Sequence, residues 1–319
     1  MRRTARFLAL MTPALLVAAA PAPKAIDLPG ERAFPENMTI AADGTAYVGS
    51  LSGGVWRVAL DKGTVTPWIK PGGSGTSSVF GVFADPVNRL LWVCSNNLSA
   101  MGVTISGAED GSTIKGFDLK TGAQTVSLAV PGTPTFCNDM AVAKDGTLYV
   151  TNTTPSHILR WRKGTDALEM WSADPALGAA EGGGGLDGIA LGADGNIYVN
   201  NFRSHMFARV AVNKDGSAGT VTPLKTSRSL DTPDGLRALG GMRFVQAEAS
   251  GKVALLTVAG DTATMETLAE VAAPTGVAAH GDTVWYVRGE PGYLLNPRQR
   301  GETPPLPFQV VPVALKKSK

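Results

Sequence analysis

The sequence predicts an all-β fold, a six-bladed β-propeller of four-stranded antiparallel blades. Three observations carry that expectation. First, a short apolar run ends in a Gly- or Asp-containing turn and restarts as an aromatic-bearing strand six times, at Tyr47, Trp92, Tyr149, Tyr198, Phe244 and Tyr286. Second, the residues heading these units, Glu36, Val79, Asn138, Asp187, Asp234 and Thr275, lie 43, 59, 49, 47 and 41 residues apart. That period suits four-stranded blades better than helical repeats. Third, no long segment of 3.6-residue periodicity competes with it.

Residues 1–20 are set apart as a secretory leader. Arg2, Arg3 and Arg6 make a basic start. Phe7 to Val17 is an apolar stretch interrupted by Pro13, too short to span a bilayer, and Ala18-Ala19-Ala20 offers a small-residue cleavage site. General secretion is preferred to the twin-arginine route, so a periplasmic or secreted location is expected. Cleavage removes three of the 29 basic residues, leaving 26 against 27 acidic ones and a net charge of −1. Residues 21–319 then form the propeller as a single domain.

Within it, Ala42-Asp43-Gly44-Thr45, Lys144-Asp145-Gly146-Thr147 and Ala193-Asp194-Gly195-Asn196 read as hairpin turns, because a glycine there accepts the positive φ such turns need. An aromatic second strand follows each, then a third strand such as Gly54–Val58, His157–Trp161 or Met206–Val210. Fourth strands are fainter, as at Val65–Trp68. The long second spacing leaves room for a loop from Ser99 to Ser112. Gly182 to Gly185 reads as a loop and not as a phosphate cradle. Phe308 to Val311 reads as a strand able to close the ring against the N-terminal segment, and Lys316 to Lys319 as a solvated tail.

The near-balanced charge, +2 for the whole chain, offers no polyanion-binding surface, so nucleic acid is not an expected partner. A monomer with a small-molecule substrate and no membrane span in the mature chain is expected. For Cys94 and Cys137, the only cysteines, two separately buried thiols are the preferred reading. A bridge, which export permits, is the alternative.

Strand alternation puts the head of each first strand and the loop after each second strand at one end of the propeller. Glu36, Asn138, Asp187 and Asp234 therefore meet at the mouth of the central tunnel. Asn96, Asn97, Asn152, His157, Asn200, Asn201, Arg203 and His205 surround them, with His280 at the opposite end. Any one of these polar residues alone reads as a turn or an Asx cap. Three carboxylates converging on one axis, however, would repel and be costly to desolvate. A divalent cation held by Glu36, Asn138, Asp187 and Asp234 resolves that cost; Ca²⁺ is expected, with Zn²⁺ or Mn²⁺ as alternatives.

The segments Phe34-Pro35-Glu36-Asn37, Phe136-Cys137-Asn138-Asp139, Leu186-Asp187-Gly188 and Pro233-Asp234-Gly235 give the chain a resemblance to the senescence marker protein/gluconolactonase/luciferin-regenerating-enzyme-like superfamily. The resemblance covers most of the mature chain. It implies a six-bladed propeller with Glu36, Asp187 and Asp234 as direct ligands of a divalent cation and Asn138 as a ligand or a substrate-orienting amide. Two positions depart from the family. Phe136 stands where gluconolactonase members often carry an arginine that holds a sugar acid, which favours a less polar substrate. Asp187 stands where asparagine is common, which adds a charge that should tighten cation binding and weaken the ion as a Lewis acid.

The expected activity is metal-dependent hydrolysis of a lactone or related ester. The resemblance implies Asp234 as the general base; Asp187, whose charge is surplus to a neutral site, is an equal candidate, and His157 or His205 a further one. Phe136, Asn138, Asn152, Asn201, Arg203 and His205 are the expected substrate contacts. No Gly-x-Ser-x-Gly elbow supports a serine esterase. Phosphotriester hydrolysis, and a binding propeller whose ion only fastens the tunnel, stay open as alternatives.

Overall fold

A computed structural model describes residues 22–178 and 184–315. The expected leader, part of the Gly182–Gly185 stretch and Lys316–Lys319 lie outside them. Six antiparallel sheets stand around one axis. Their innermost strands are Pro35–Ile40, Ser78–Asp85, Cys137–Val142, Leu186–Leu191, Pro233–Gly240 and Pro274–His280. Each contacts the next, and the sixth contacts the first, so the ring is closed. Innermost strands such as Pro35–Ile40, Cys137–Val142 and Leu186–Leu191 are buried almost throughout, whereas outer strands such as Gln124–Ala129 alternate between covered and exposed residues. That contrast follows from position: an inner strand has the axis on one side and neighbouring blades on its faces, while an outer strand has solvent at its edge.

The Asp-Gly turns form as the sequence predicts. Gly44 and Gly146 have φ of 81° and 86°, while Asp43 and Asp145 each accept a hydrogen bond from the amide two residues on, at 2.9 Å. Aromatic second-strand residues knit neighbouring blades together: Trp92 meets Trp161 at 5.0 Å and Tyr198 meets Phe244 at 4.8 Å between ring centroids. The first pair is edge-on and the second tilted, and such offset aromatic contacts add to the area they bury.

Closure uses both ends of the chain. Gln309–Ala314 is the third strand of the last blade, and Ile26–Asp27 is its outermost strand. In the fifth blade, Lys225–Thr226 adds a short parallel strand along the outer edge.

The structure corrects three details of the repeat. Opposite the equivalent first-strand positions Thr39, Phe83, Ala141, Ala190, Arg237 and Ala278 stand Tyr47, Trp92, Tyr149, Tyr198, Val245 and Trp285. The fifth- and sixth-blade aromatics Phe244 and Tyr286 are therefore one residue out of line. In the second blade the irregularity falls between Val79 and Val82, whereas in the first it falls between Pro35 and Met38. Phe80, not Val79, is thus the equivalent of Glu36. Val79 turns away from the axis and packs among Tyr47, Val82 and Leu91. Finally, Cys94 and Cys137 are bonded to each other, against the preferred reading of separate thiols. The second strand of blade 2 and the innermost strand of blade 3 bring them together across a blade boundary.

Candidate functional site

The six column residues, Glu36, Phe80, Asn138, Asp187, Asp234 and Thr275, all line one cavity of about 460 Å³. All of them but Phe80 sit third from the start of a local device that repeats in five blades. The carbonyl two residues before the column accepts the backbone N–H of the residue just past the second strand. These bonds run from Leu51 to Phe34, Thr153 to Phe136, Phe202 to Gly185, Ala249 to Thr232 and Gly289 to Ala273, at 2.7–3.0 Å. The device fixes floor and wall together, because Leu51, Thr153, Phe202 and Phe136 also line the cavity. Three of the accepting residues, Phe34, Thr232 and Ala273, hold φ of 36°, 53° and 41°. Non-glycine residues seldom adopt such values, and backbone strain of this kind gathers where surrounding structure enforces a functional geometry.

Close approach at the axis depends on the glycines that follow the column residues, as two of them show. A Cβ on Gly81 would lie 2.3 Å from the Asn138 carbonyl oxygen, and one on Gly276 would lie 2.5 Å from the Asn37 Cα. With hydrogens there instead, the inner strands converge and bring the column side chains within reach of one another. Asn138 Nδ2 donates to Asp187 Oδ2 at 3.0 Å and to Thr153 Oγ1 at 3.3 Å. Asp234 Oδ1 accepts from the Gly235 amide at 2.9 Å.

What remains unbonded is informative. Glu36 Oε2, Asn138 Oδ1 and Asp187 Oδ1 are buried and have no hydrogen-bond partner. Their residues are 6%, 4% and 6% exposed, so water does not cover them freely. Burial, and then the charges of Asp187 and Asp139, push Glu36 well above the usual carboxylate range. Burial, and then Asp139, push Asp187 up to about 8. Asp234, which retains some exposed surface, is raised by burial and then by Asp187 and Glu36. Three acceptor oxygens lacking donors, among acids that resist ionising together, fit a hard cation. Among the described residues, no three Asp, Glu, His or Cys side chains are gathered tightly enough to hold a metal by themselves. The donor set here needs the Asn138 amide as a member.

Below the column the tunnel is bridged by a residue the sequence reading missed. Arg237 pairs with fully buried Asp139, and it donates to Asn37 Oδ1 at 3.2 Å and to the Met38 and Val82 carbonyls at 3.3 and 3.0 Å. A separate cavity of about 250 Å³ opens on the far side of Arg237. The bridge therefore closes the acid floor from beneath. Asn37 and Asp139 directly follow two column residues, and that doublet was the available signal; nothing local pointed to Arg237.

The other expected residues divide. Phe136 and Arg203 line the cavity, and Phe136 packs edge-on against Phe80 with centroids 4.7 Å apart. Asn152 and Asn201 are buried behind the lining and hold backbone. Asn152 accepts from the Phe136 amide at 2.8 Å, and Asn201 donates to the Leu177 and Gly184 carbonyls while accepting from the Arg203 and Ser204 amides. His205 lies off the lining, its Nδ1 3.1 Å from the Leu230 carbonyl and 3.4 Å from the Thr232 amide. His157 is also off the lining, its pKa lowered by burial. Asn200 props the floor, donating to the Asp234 carbonyl at 2.6 Å. His280 borders a pocket with Gly44 and Asp61, away from this cavity.

The model of the strictosidine synthase-like N-terminal family matches residues 22–58. No curated protein matches the chain. Among solved structures, a gluconolactonase from Xanthomonas campestris is 14% identical, with a TM-score of 0.62 over 88% of this chain and 86% of that one. Regucalcin from Agrobacterium tumefaciens, described as a calcium-binding protein, is 16% identical, with a TM-score of 0.60 over 92% and 95%. An inactivated virginiamycin B lyase from Staphylococcus aureus is 15% identical, with a TM-score of 0.57 over 91% and 83%. At these identities the likeness is one of fold, and the fold hosts more than one chemistry.

Proposed function

We propose that this chain is a divalent-cation-dependent hydrolase of a lactone or related ester, of the senescence marker protein/gluconolactonase type, exported by its N-terminal leader. The observation that carries the reading is the set of orphaned oxygens of Glu36, Asn138 and Asp187 at the floor of an apolar-walled cavity. A binding propeller would use an open surface instead; this cavity encloses its acids. The fold likeness to a gluconolactonase and to a calcium-binding regucalcin supports the same direction.

Glu36, Asn138, Asp187 and Asp234 would hold the ion, Ca²⁺ being favoured by an all-oxygen donor set. When bound, the cation supplies Lewis acidity toward a carbonyl oxygen. The chain's own residues do the rest. Both candidate bases line the cavity, but Asp234 is the better placed, because it retains exposed surface while Asp187 is buried and bonded to Asn138. Asp234 takes a proton from water as the water oxygen bonds to the carbonyl carbon. The ring C–O bond then breaks, and the proton passes to the leaving alkoxide. Arg237 and its partners exclude water from below.

Asp234→Asn tests this role. The amide keeps an oxygen ligand but accepts no proton, so kcat should fall by roughly 10²–10⁴-fold with the ion retained. Elemental analysis should find one cation per chain in both proteins, and chelator should lower the melting temperature of each. A fully active Asp234→Asn protein would move the base to Asp187. Indifference of both activity and melting temperature to chelator would refute the cation-dependent reading.

A further inference from the structure

Resting on the hydrolase reading above, the substrate class can be narrowed from the cavity wall. Above the acid floor the lining is apolar: Phe80, Phe136, Leu51, Phe202, Met101 and Leu295. Among the wall's few hydroxyls, Thr153 Oγ1 is committed, donating to the Leu186 carbonyl at 2.7 Å and accepting from Asn138. A polyhydroxylated substrate would surrender its hydrogen bonds to water without replacement, and each unsatisfied group costs free energy. A flat apolar body would instead find the Phe80–Phe136 edge-to-face pair.

One cation interrupts this wall. The Arg203 guanidinium stands over the Phe202 ring at 5.6 Å, and no ion pair ties it to a carboxylate among the described residues. It does not serve the floor: the arginine that bears on Glu36 is Arg237. Yet its position is built. Asn201 Oδ1 caps the Arg203 and Ser204 amides at 2.9 and 3.0 Å. Gly185 makes room for its stem, since a Cβ there would lie 2.9 Å from the Arg203 Cβ.

We propose that the site takes an ester or lactone with an apolar, aromatic-sized body and a carboxylate at the end remote from the reacting carbonyl, and that Arg203 selects for that carboxylate. A guanidinium pairs with a carboxylate in a planar fork, and charge-assisted hydrogen bonds of this kind change affinity by roughly 10- to 100-fold.

The test compares a carboxyphthalide, a benzo-fused lactone bearing a free acid, with its methyl ester and with gluconolactone. Wild-type kcat/KM should favour the acid over its methyl ester by about tenfold or more, and either phthalide over gluconolactone. In Arg203→Ala that preference for the acid should collapse to within about twofold, and in Arg203→Glu it should invert. Arg203→Lys should keep part of it, because a point charge lacks the fork. An acid-to-ester ratio unchanged in Arg203→Ala, or gluconolactone as the best of the three, overturns the proposal. Calorimetric binding of the corresponding lactam acid, which is not hydrolysed, separates the two readings. Binding at least about tenfold tighter to wild type than to Arg203→Ala, with no lactone hydrolysed, would uphold the recognition and sink the hydrolase. Hydrolysis with lactam binding indifferent to Arg203 would do the reverse.

Discussion

Glu36, Asp187 and Asp234 are three acids in a space that tolerates them poorly as three charges, and their stability contribution follows from that. All three have carboxyl groups raised above their unfolded values, Asp187 to about 8. Between about pH 4 and pH 8 the folded, metal-free protein therefore binds more protons than the unfolded chain, so its stability falls as pH rises. A bound cation would reverse the trend, because it would compete with those protons and bind more tightly as they leave. Denaturant melts of chelator-treated protein should show midpoints that decline from pH 5 to pH 8. The apparent Ca²⁺ affinity should climb over the same interval. Midpoints that rise with pH in the metal-free protein would mean that the acids are already compensated, with Arg237 the residue to suspect.

At the scale of the strand, the site is made by how each innermost strand begins. Five strands enter through the same backbone bond between the residue two before the column and the residue past the second strand. The third blade adds a covalent anchor, since Cys137 immediately precedes Asn138 and is bonded to Cys94 of the second blade. Asn96 reinforces that seam, donating to the Cys137 carbonyl at 2.8 Å and accepting from Ser112 at 2.7 Å. The bridge closes a loop with a separation of 43 residues, which chain-entropy reasoning values at about 4 kcal/mol. The double substitution Cys94→Ala, Cys137→Ala should lower the unfolding free energy by about 2–4 kcal/mol. Because the bond anchors the strand bearing Asn138, cation affinity should weaken as well. A double variant as stable as wild type would show that Asn96 and Ser112 suffice to hold the seam.

Across the whole molecule, the ring is sealed by its two ends. Ile26 pairs with Val310 and Asp27 with Gln309, and the Leu28 amide donates to the Phe308 carbonyl at 2.8 Å. Phe34 and Phe308 pack with centroids 4.9 Å apart. Leu28 is 3% exposed, so Leu28→Ala should cost about 2–5 kcal/mol through lost burial and the cavity left behind. Removing residues 22–28 should cost more, because the sixth blade loses its outer strand and exposes an unpaired edge. Guanidinium unfolding of the unsubstituted protein and both variants checks the order. If the truncated chain matches Leu28→Ala, the outer strand contributes nothing beyond that one side chain.

The chain's local chemistry determined the number of blades, the Asp-Gly hairpins, the closing C-terminal strand and five of the six column residues. Each depends on a pattern only a few residues long, and strand alternation carries such patterns unchanged into the fold. The sixth column residue was lost by one place. Between the partners Phe83 and Trp92 the second-blade hairpin is one residue longer than between the equivalent Thr39 and Tyr47, and a single-residue slip turns a side chain to the other face, so Phe80 stood hidden behind Val79. Asn152 and Asn201 looked like ligand-facing amides, but their orientation depends on which buried backbone groups lack partners. The Cys94–Cys137 pairing depends on two blades meeting at a distance that spacing does not encode. Most of all, Arg237 meets Asn37 across 200 residues. Only the closed ring brings that guanidinium beneath the acids, because sequence neighbours build a blade while the axis is built by residues that are remote from one another along the chain.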